Sequence, residues 1–526
     1  MKLKDIKNGN NCEWTAKGYE LPKFNIDQMR AETYQQPTWV HFGAGNIFRA
    51  FPAAILQQVL NSGSYNKGVI VAEGFDYEII DKAYKDYDNL SLLVCLTSDG
   101  SIKKKVIASV AESLKADPLF GSDWKRLKEI FKNPSLQMVS FTVTEKGYAA
   151  PYEDLKRGLN PTSVMGKVTV LLYYRYLTGE IPLTMQSMDN CSCNGDKLKA
   201  AVVAYAQSWV KEKLVPEEFL FYVRDSGKIA YPWSMIDRIT PRPDGIVQSM
   251  LKADGFEDNN IIITEKNTYT APFVNAEETQ YLVMEDIYTN KRPPLELGGA
   301  LYTDRETVEK VEKMKVGTCL NPLHTAMAIF GCLLGCKRIS EEMKDQDIRE
   351  FVTKLGYLEA LPVVSDPKII KPQEFIDFVL NRRLPNPFLP DTPQRIATDT
   401  SQKLSIRFGG TIREYQKQGL KMEKLVLIPL VLAGYSRYLS GIDDNGETFL
   451  PSPDPMLKEL RTIIAPLAVT EKKQDFSCLK DLYSREDVFG VDLYAAGLGK
   501  KIESMAQELF SGRGAVRRTL HKYVSV

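Results

Sequence analysis

Pro37-Thr-Trp-Val-His-Phe-Gly-Ala-Gly-Asn-Ile-Phe-Arg-Ala-Phe51 is the segment from which the architecture of this chain can be worked out. An apolar run, Pro37 to Phe42, meets two glycines and then a helical pattern from Ala50 to Asn61. A strand that passes through glycines into a helix is the first unit of a dinucleotide-binding fold. Gly43 permits the tight turn, and Gly45 lets the backbone approach a pyrophosphate at the helix N-terminus. Phe48 stands where the third glycine of the pattern would be, and glycine pairs also end strands in proteins that bind no nucleotide. The next run adds weight. Val69-Ile-Val-Ala-Glu73 is β-branched and ends on an acid, about 25 to 30 residues past the glycines, where a carboxylate holds the ribose hydroxyls and repels the extra phosphate of NADP. Glu73 and Asp76 are both candidates; each also reads as a solvated loop acid. The presence of the acid favours NAD as cofactor.

Strand-like runs continue at Leu92 to Leu96 and Met138 to Val143, with helical segments between them. This alternation predicts an α/β domain with a mostly parallel sheet. Three polar clusters follow strands, at Thr142–Tyr148, Ser187–Gly195 and Ser234–Pro241. Such sheets bind ligands at the carboxyl ends of their strands, although Asp, Asn and Gly also serve ordinary turns there. Asn190 and Asn194 stand out, because a neutral amide holds an alkoxide oxygen without taking its proton. From about Arg292 onward the periodicity becomes helical: Thr303 to Cys319, Pro322 to Leu334, Ser340 to Leu355, Pro372 to Asn381, Thr400 to Gln418 and Lys424 to Leu439. The expected division is a Rossmann-type domain over 1–290 and a mostly α-helical substrate and catalytic domain over 291–526.

Composition narrows the function. At 526 residues the chain exceeds one ordinary core. Lys and Arg number 68 against 67 Asp and Glu, a net charge of +1, and the basic residues are dispersed. Nucleic acid is therefore not an expected partner. Eight cysteines and a polar, lysine-rich start predict free thiols and a cytoplasmic location. With three histidines and no Cys-x-x-Cys, no metal site is expected. The apolar run Leu425–Tyr435 is broken by Pro429 and falls short of the about twenty residues of a membrane span.

Chemistry is expected in Lys313-Met-Lys-Val-Gly-Thr-Cys-Leu-Asn-Pro-Leu-His324. Here a base-capable lysine, the amide of Asn321 and the imidazole of His324 precede an apolar helix. Hydride chemistry on an alcohol needs one group to exchange the hydroxyl proton and neutral donors for the oxygen. The same residues also describe a helix with a surface lysine, a capping Asn and a half-buried His.

Taken in order, Gly43-Ala-Gly-Asn46 with Arg49-Ala50, Thr144-Glu-Lys-Gly-Tyr148, Ser187-x-Asp-Asn190 with Asn194-Gly195, Asp237-Arg-Ile-Thr-Pro241, Arg292-Pro-Pro-Leu-Glu296 and Asn321-x-x-His324 resemble the mannitol dehydrogenase family. These are polyol-specific long-chain dehydrogenases that include fructuronate and tagaturonate reductases. The resemblance implies metal-independent hydride transfer between NAD and a small sugar acid or polyol, with a lysine as acid/base. It implies cofactor contacts from Gly43, Gly45, Asn46, Phe48, Arg49, Glu73, Asp76, Thr144 and Glu145. Lys315, Asn190, Asn321 and His324 would be catalytic, and Asn194 and Asp237 would meet the substrate. Within the family, Val71–Asp76 and the Lys313–His324 segment are most similar to fructuronate reductases, which interconvert D-fructuronate and D-mannonate. A uronate-derived substrate needs a cation, and Arg395, Lys403 and Arg407 are the candidates. The alternatives are a mannitol- or arabinitol-type dehydrogenase, a tagaturonate reductase, or a nucleotide-binding protein without catalysis.

One spacing departs from the family, whose lysine lies five residues before the asparagine and eight before the histidine. Lys315 lies six before Asn321 and nine before His324, with Val316 at the usual place. On a straight helix nine residues put Lys315 about 180° from His324, whereas eight give about 80°. Lys313 returns to within about 20° but lies about 16 Å along the axis. Pro322 removes a backbone donor and Gly317 loosens the turn. The spacing therefore predicts a break or π-bulge between Val316 and Pro322.

Overall fold

The computed structural model describes residues 1–9 and 11–525. By its internal packing the chain forms two units, Met1–Thr97 with Ser101–Val308, and Ser98–Gly100 with Glu309–Val526.

The first unit is built on six parallel strands: β1 (Trp39–Phe42), β2 (Val69–Glu73), β3 (Val110–Lys115), β4 (Met138–Phe141), β5 (Leu183–Ser187) and β6 (Ile229–Ala230). Their spatial order is β3-β2-β1-β4-β5-β6, the doubly wound order of dinucleotide-binding sheets. Alternation along the strands feeds two cores. Val40, Phe42, Ile70, Val139 and Phe141 meet helices Gly121–Lys132, Val164–Tyr176 and Asn194–Lys211 on one face. Trp39, Val69, Val71 and Met138 meet Pro52–Asn61 on the other.

The expected run Leu92–Leu96 is a strand, but it belongs elsewhere. Ser91–Leu96 pairs antiparallel with Ile102–Ile107 and parallel with Phe273–Glu277 in a separate four-stranded sheet. The third strand of the parallel sheet is Val110–Lys115, whose Glu112 and Ser113 weaken its apolar signal. A further sheet joins Ser234–Asp237, Tyr281–Glu285 and Leu301–Thr303, so the first unit keeps its strand pairing up to Thr303.

His41 lies inside β1, stacked on Phe48 at 4.2 Å between ring centres. Its Nδ1 is 2.6 Å from the Ser140 hydroxyl and its Nε2 2.8 Å from that of Thr142. Burial pushes the imidazole down to about 3 from 6.5. Between those values the unfolded chain binds a proton that the folded chain refuses. The stability held here is complete above the unfolded value and drains as pH falls, by roughly 3 kcal/mol at pH 4.5. His41→Gln is expected to lose that share of the acid slope in a denaturation series from pH 7 to 4.5. An unchanged slope would remove His41 as its source.

The second unit is helical. Arg305–Met314 leads into a π-helical turn, Lys315–Cys319, and then into Asn321–Leu333. Further π turns occupy Leu355–Ala360, Val379–Arg383 and Ser405–Gly409. Ser405–Gly409 falls inside the expected run Thr400–Gln418, Val379–Arg383 begins within Pro372–Asn381, and Leu355–Ala360 starts at the last residue of Ser340–Leu355; such bulges gather at functional sites. By length and composition the stretch Arg305–Leu333 is apolar enough to cross a membrane, but 78% of its most apolar window is buried.

Candidate functional sites in the two units

In the first unit the site is the carboxyl edge of the parallel sheet. Gly43 has φ +108°, and a Cβ there would lie 2.2 Å from the Thr142 carbonyl oxygen. Only glycine fits this turn. At Gly45, the residue preceding helix Asn46–Ala50, a Cβ would meet nothing within 4 Å. The backbone is thus open at the position where a pyrophosphate needs close approach, and the sheet order and glycine turn together fit a dinucleotide.

The flanking side chains are largely committed to the protein. Glu73 ends β2, and its carboxylate accepts from the backbone N–H of Ala44 at 2.8 Å, Phe75 at 2.8 Å and Asp76 at 3.1 Å. Burial raises its pKa, and the three amides oppose that shift. Asp76 accepts from the Thr264 hydroxyl at 2.6 Å. Phe48 and Arg49, expected at the cofactor, turn inward and are fully buried. Arg49 donates to Ala271 O, to Thr270 Oγ1 and to Asn46 Oδ1, and Asn46 Nδ2 donates to Tyr269 O. These two residues brace the glycine loop with the side chains that were expected to hold the ligand.

Beside them, the ends of β4 and β5 are tied by Asp189. Its carboxylate accepts from the N–H groups of Val143 and Thr144, both at 2.9 Å, and from the Tyr148 hydroxyl at 2.6 Å. Burial raises its pKa against those donors. Thr144 sits at φ 66°, ψ 161°, a region otherwise almost confined to glycine, at a cost of roughly 1–3 kcal/mol. Asp189 holds that strained residue in place. Glu145 is exposed and paired with Lys197. Asn190, the next residue after Asp189, is exposed at the end of this edge.

Asn194 corrects an expectation. It is buried, and its Nδ2 donates to Asp189 O, Ser234 O and Ser234 Oγ while its Oδ1 accepts from the Ser234 N–H, all at 3.0 Å. Its amide is spent tying two loops together, which leaves nothing to present to substrate. Asp237 is buried at the end of Ser234–Asp237.

In the second unit the expected irregularity is present. The Leu320 N–H donates to the Lys315 carbonyl at 3.2 Å, a bond five residues back, and Leu320 leaves helical geometry at φ −128°, ψ −64°. Asn321 and Pro322 then restart the helix. Lys315 is 5% exposed. The rival Lys313 is a surface residue, its side chain 64% exposed and paired with Glu309 at 2.8 Å.

The expected cations gather around the same helix. Arg407, on the π turn Ser405–Gly409 that packs against Lys315–Cys319, donates to the Asn321 carbonyl at 3.4 Å and to the Thr325 hydroxyl. Burial lowers its pKa to about 10. Lys403 donates to the Thr398 carbonyl, and its pKa is lowered by burial and then by neighbouring Arg407. Arg395 is paired with Asp391, which lies 3.9 Å from His324 Nε2. A small cavity of about 10 Å³, room for about one water, opens here, lined by His324, Ser340, Arg383, Asn386 and Asp391 among others. Of these, only His324 was singled out from sequence. Among the described residues no three His, Cys, Asp or Glu side chains form a group that could hold a metal ion.

Comparison with known proteins bears on both units. The family described as Mannitol dehydrogenase Rossmann domain matches residues 37–297, and Mannitol dehydrogenase C-terminal domain matches residues 307–510. A D-mannonate oxidoreductase of Thermotoga maritima is 49% identical, across 100% of this chain and 99% of that protein. A Polyol:NADP oxidoreductase of Gluconobacter oxydans is 26% identical, across 85% and 87%. Among solved structures, a D-sorbitol dehydrogenase in substrate-free form matches with a TM-score of 0.78 at 23% identity, across 96% of this chain and 97% of that one. Pseudomonas fluorescens mannitol 2-dehydrogenase, in ternary complex with NAD and D-mannitol, matches with a TM-score of 0.68 at 23% identity, across 97% of each. At that identity the likeness is one of fold.

Proposed function

Since the chain belongs to the mannitol dehydrogenase family and is an oxidoreductase, we propose that it interconverts D-fructuronate and D-mannonate with NAD, using Lys315 as acid/base. The observation that carries the substrate is the 49% identity, over the whole chain, to a protein named D-mannonate oxidoreductase. NAD, when bound, supplies the hydride acceptor or donor. The open backbone at Gly45 and the edge set by Asp189 and Thr144 support its binding by the first unit.

The proton belongs to the second unit. Lys315 takes the hydroxyl proton as the alcohol is oxidised and returns it to the keto oxygen in the other direction. Asn321, on the same helix, offers a neutral amide to that oxygen, which stabilises developing charge without competing for the proton, and Asn190 is the amide of the first unit suited to the same task. His324, whose Nε2 lies 3.9 Å from the Asp391 carboxylate, orients a neighbouring hydroxyl. Because a lysine handles the proton, the scheme is metal-independent. The sugar acid's carboxylate is met by Arg407, Lys403 and Arg395, of which Arg407 is joined directly to Asn321 and Thr325. A guanidinium suits a planar carboxylate.

The test is NADH oxidation with D-fructuronate, D-tagaturonate and D-fructose. D-Fructuronate is expected to exceed the uncharged hexulose in kcat/KM by roughly 10–100-fold, the worth of one charged hydrogen-bonded contact. Preference for the hexulose would instead make the protein a polyol dehydrogenase.

A further inference from the structure

A hairpin, Ile262–Ile263 paired with Tyr269–Thr270, is fastened to both sides of the dinucleotide cradle in the first unit. On the glycine-loop side Asn46 and Arg49 donate to Tyr269 O, Thr270 Oγ1 and Ala271 O. On the β2 side the Thr264 hydroxyl donates to Asp76 at 2.6 Å, and the Glu265 N–H donates to Glu78 at 3.1 Å. Lys266 Nζ donates to the Phe75 carbonyl at 2.6 Å and lies 4.0 Å from the centre of the Phe75 ring. That carbonyl is two residues past the end of β2, where this fold class puts the 2′ position of the adenosine ribose.

An acid at the end of β2 excludes NADP only if its charge faces the 2′ position. Here it does not. Glu73 and Asp76 are both buried, Glu73 under three backbone amides and Asp76 under the Thr264 hydroxyl. The other acids at this tip are Glu78, paired with Lys82, Glu265, whose charge also acts on Lys82, and Asp117, paired with Lys167, which also donates to the Gly74 carbonyl. Lys266 is exposed, and its bond at the tip is to a neutral carbonyl. Glu78 and Glu265 balance Lys82 and Lys266 in number, and the charge held directly at the Phe75 carbonyl, beside the end of β2, is the ammonium of Lys266.

We propose that Lys266 sets cofactor selectivity by receiving a 2′-phosphate, so that the first unit takes NADPH as well as NADH. This rests on the dinucleotide site proposed above. A lysine suits the role as a mobile point charge with three donors, on a hairpin that places it without fixing it.

Binding, measured by calorimetry on the full chain, separates the possibilities without turnover. 2′,5′-ADP is expected to bind at least as tightly as 5′-AMP. Lys266→Ala should weaken 2′,5′-ADP by about tenfold, the scale of one charge-assisted hydrogen bond, and leave 5′-AMP within about twofold. Lys266→Arg should restore most of the loss. If NADH and 5′-AMP bind but 2′,5′-ADP does not, or if Lys266→Ala weakens both nucleotides equally, the selectivity role is overturned while the cofactor site stands. Absence of NADH binding would overturn the cofactor site itself.

Discussion

Replacing Lys315 by Ala is expected to lower turnover by roughly 10²–10⁴-fold, the usual worth of a positioned acid/base group, with NADH affinity unchanged. Lys315 is 5% exposed and stands at the first position of a π turn, immediately before the restarted helix that carries Asn321 and His324. Lys313, two residues earlier, is solvated and bound to Glu309. The same substitution at Lys313 should therefore leave kcat within about twofold, as surface changes generally do. Steady-state kinetics on both variants, together with NADH titration, separate the two residues. Near-normal turnover in Lys315→Ala would sink the assignment, and collapse in Lys313→Ala would transfer it. A loss in the affinity for NADH alone would show that Lys315 serves binding and leave the base unidentified.

Removing the Glu359 carboxylate is expected to cost the helical unit about 3 kcal/mol, because a buried helix end would lose its cap. Glu359 lies in the π turn Leu355–Ala360, and its oxygens accept from the N–H groups of Val426 at 2.6 Å, Leu427 at 2.7 Å and Ile428 at 2.8 Å. These are donors at the start of Leu427–Leu439, a helix buried along its whole length, so water cannot replace the acid. Burial raises the Glu359 pKa, and the three amides act against that shift. For a unit of this size the loss corresponds to a fall in Tm of roughly 6–12 °C. Glu359→Gln, which keeps one strong acceptor oxygen, should recover about half. Thermal unfolding of the three proteins checks this, and an unshifted transition in Glu359→Ala would show that the helix start finds other partners.

The legible parts of this protein are those whose signal is local. β1, the glycine turn and β2 could be read because apolar runs and glycines act over a few residues. The break before Pro322 was legible for a different reason: one residue too many lies between Lys315 and His324 for a straight helix to keep them on the same side. β3 escaped because strand periodicity says nothing about which sheet a strand joins, and Leu92–Leu96 offered a cleaner run in the right interval. Asn194 shows the limit for site residues. Its amide is the right chemistry for an alkoxide, but Ser234, forty positions away, takes both ends of it. Glu73 likewise stands at the end of β2 as expected, while the direction of its carboxylate depends on the amides of Ala44, Phe75 and Asp76. Residue type and strand position were readable; the partners that use up a side chain were not.

The π turn at Lys315–Cys319 also loosens the relation between counting and facing. Along a regular helix, the number of residues between two side chains fixes the angle between them. Here a five-residue turn takes up a residue without lengthening the path by a full step of rotation, and Leu320 resets the direction before Asn321. An upstream insertion can thus be absorbed as slack before it reaches His324. Counting eight residues back from His324, the spacing the family resemblance implies, lands on Val316, and the one-residue offset to Lys315 is the size of the extra residue that the π turn takes up.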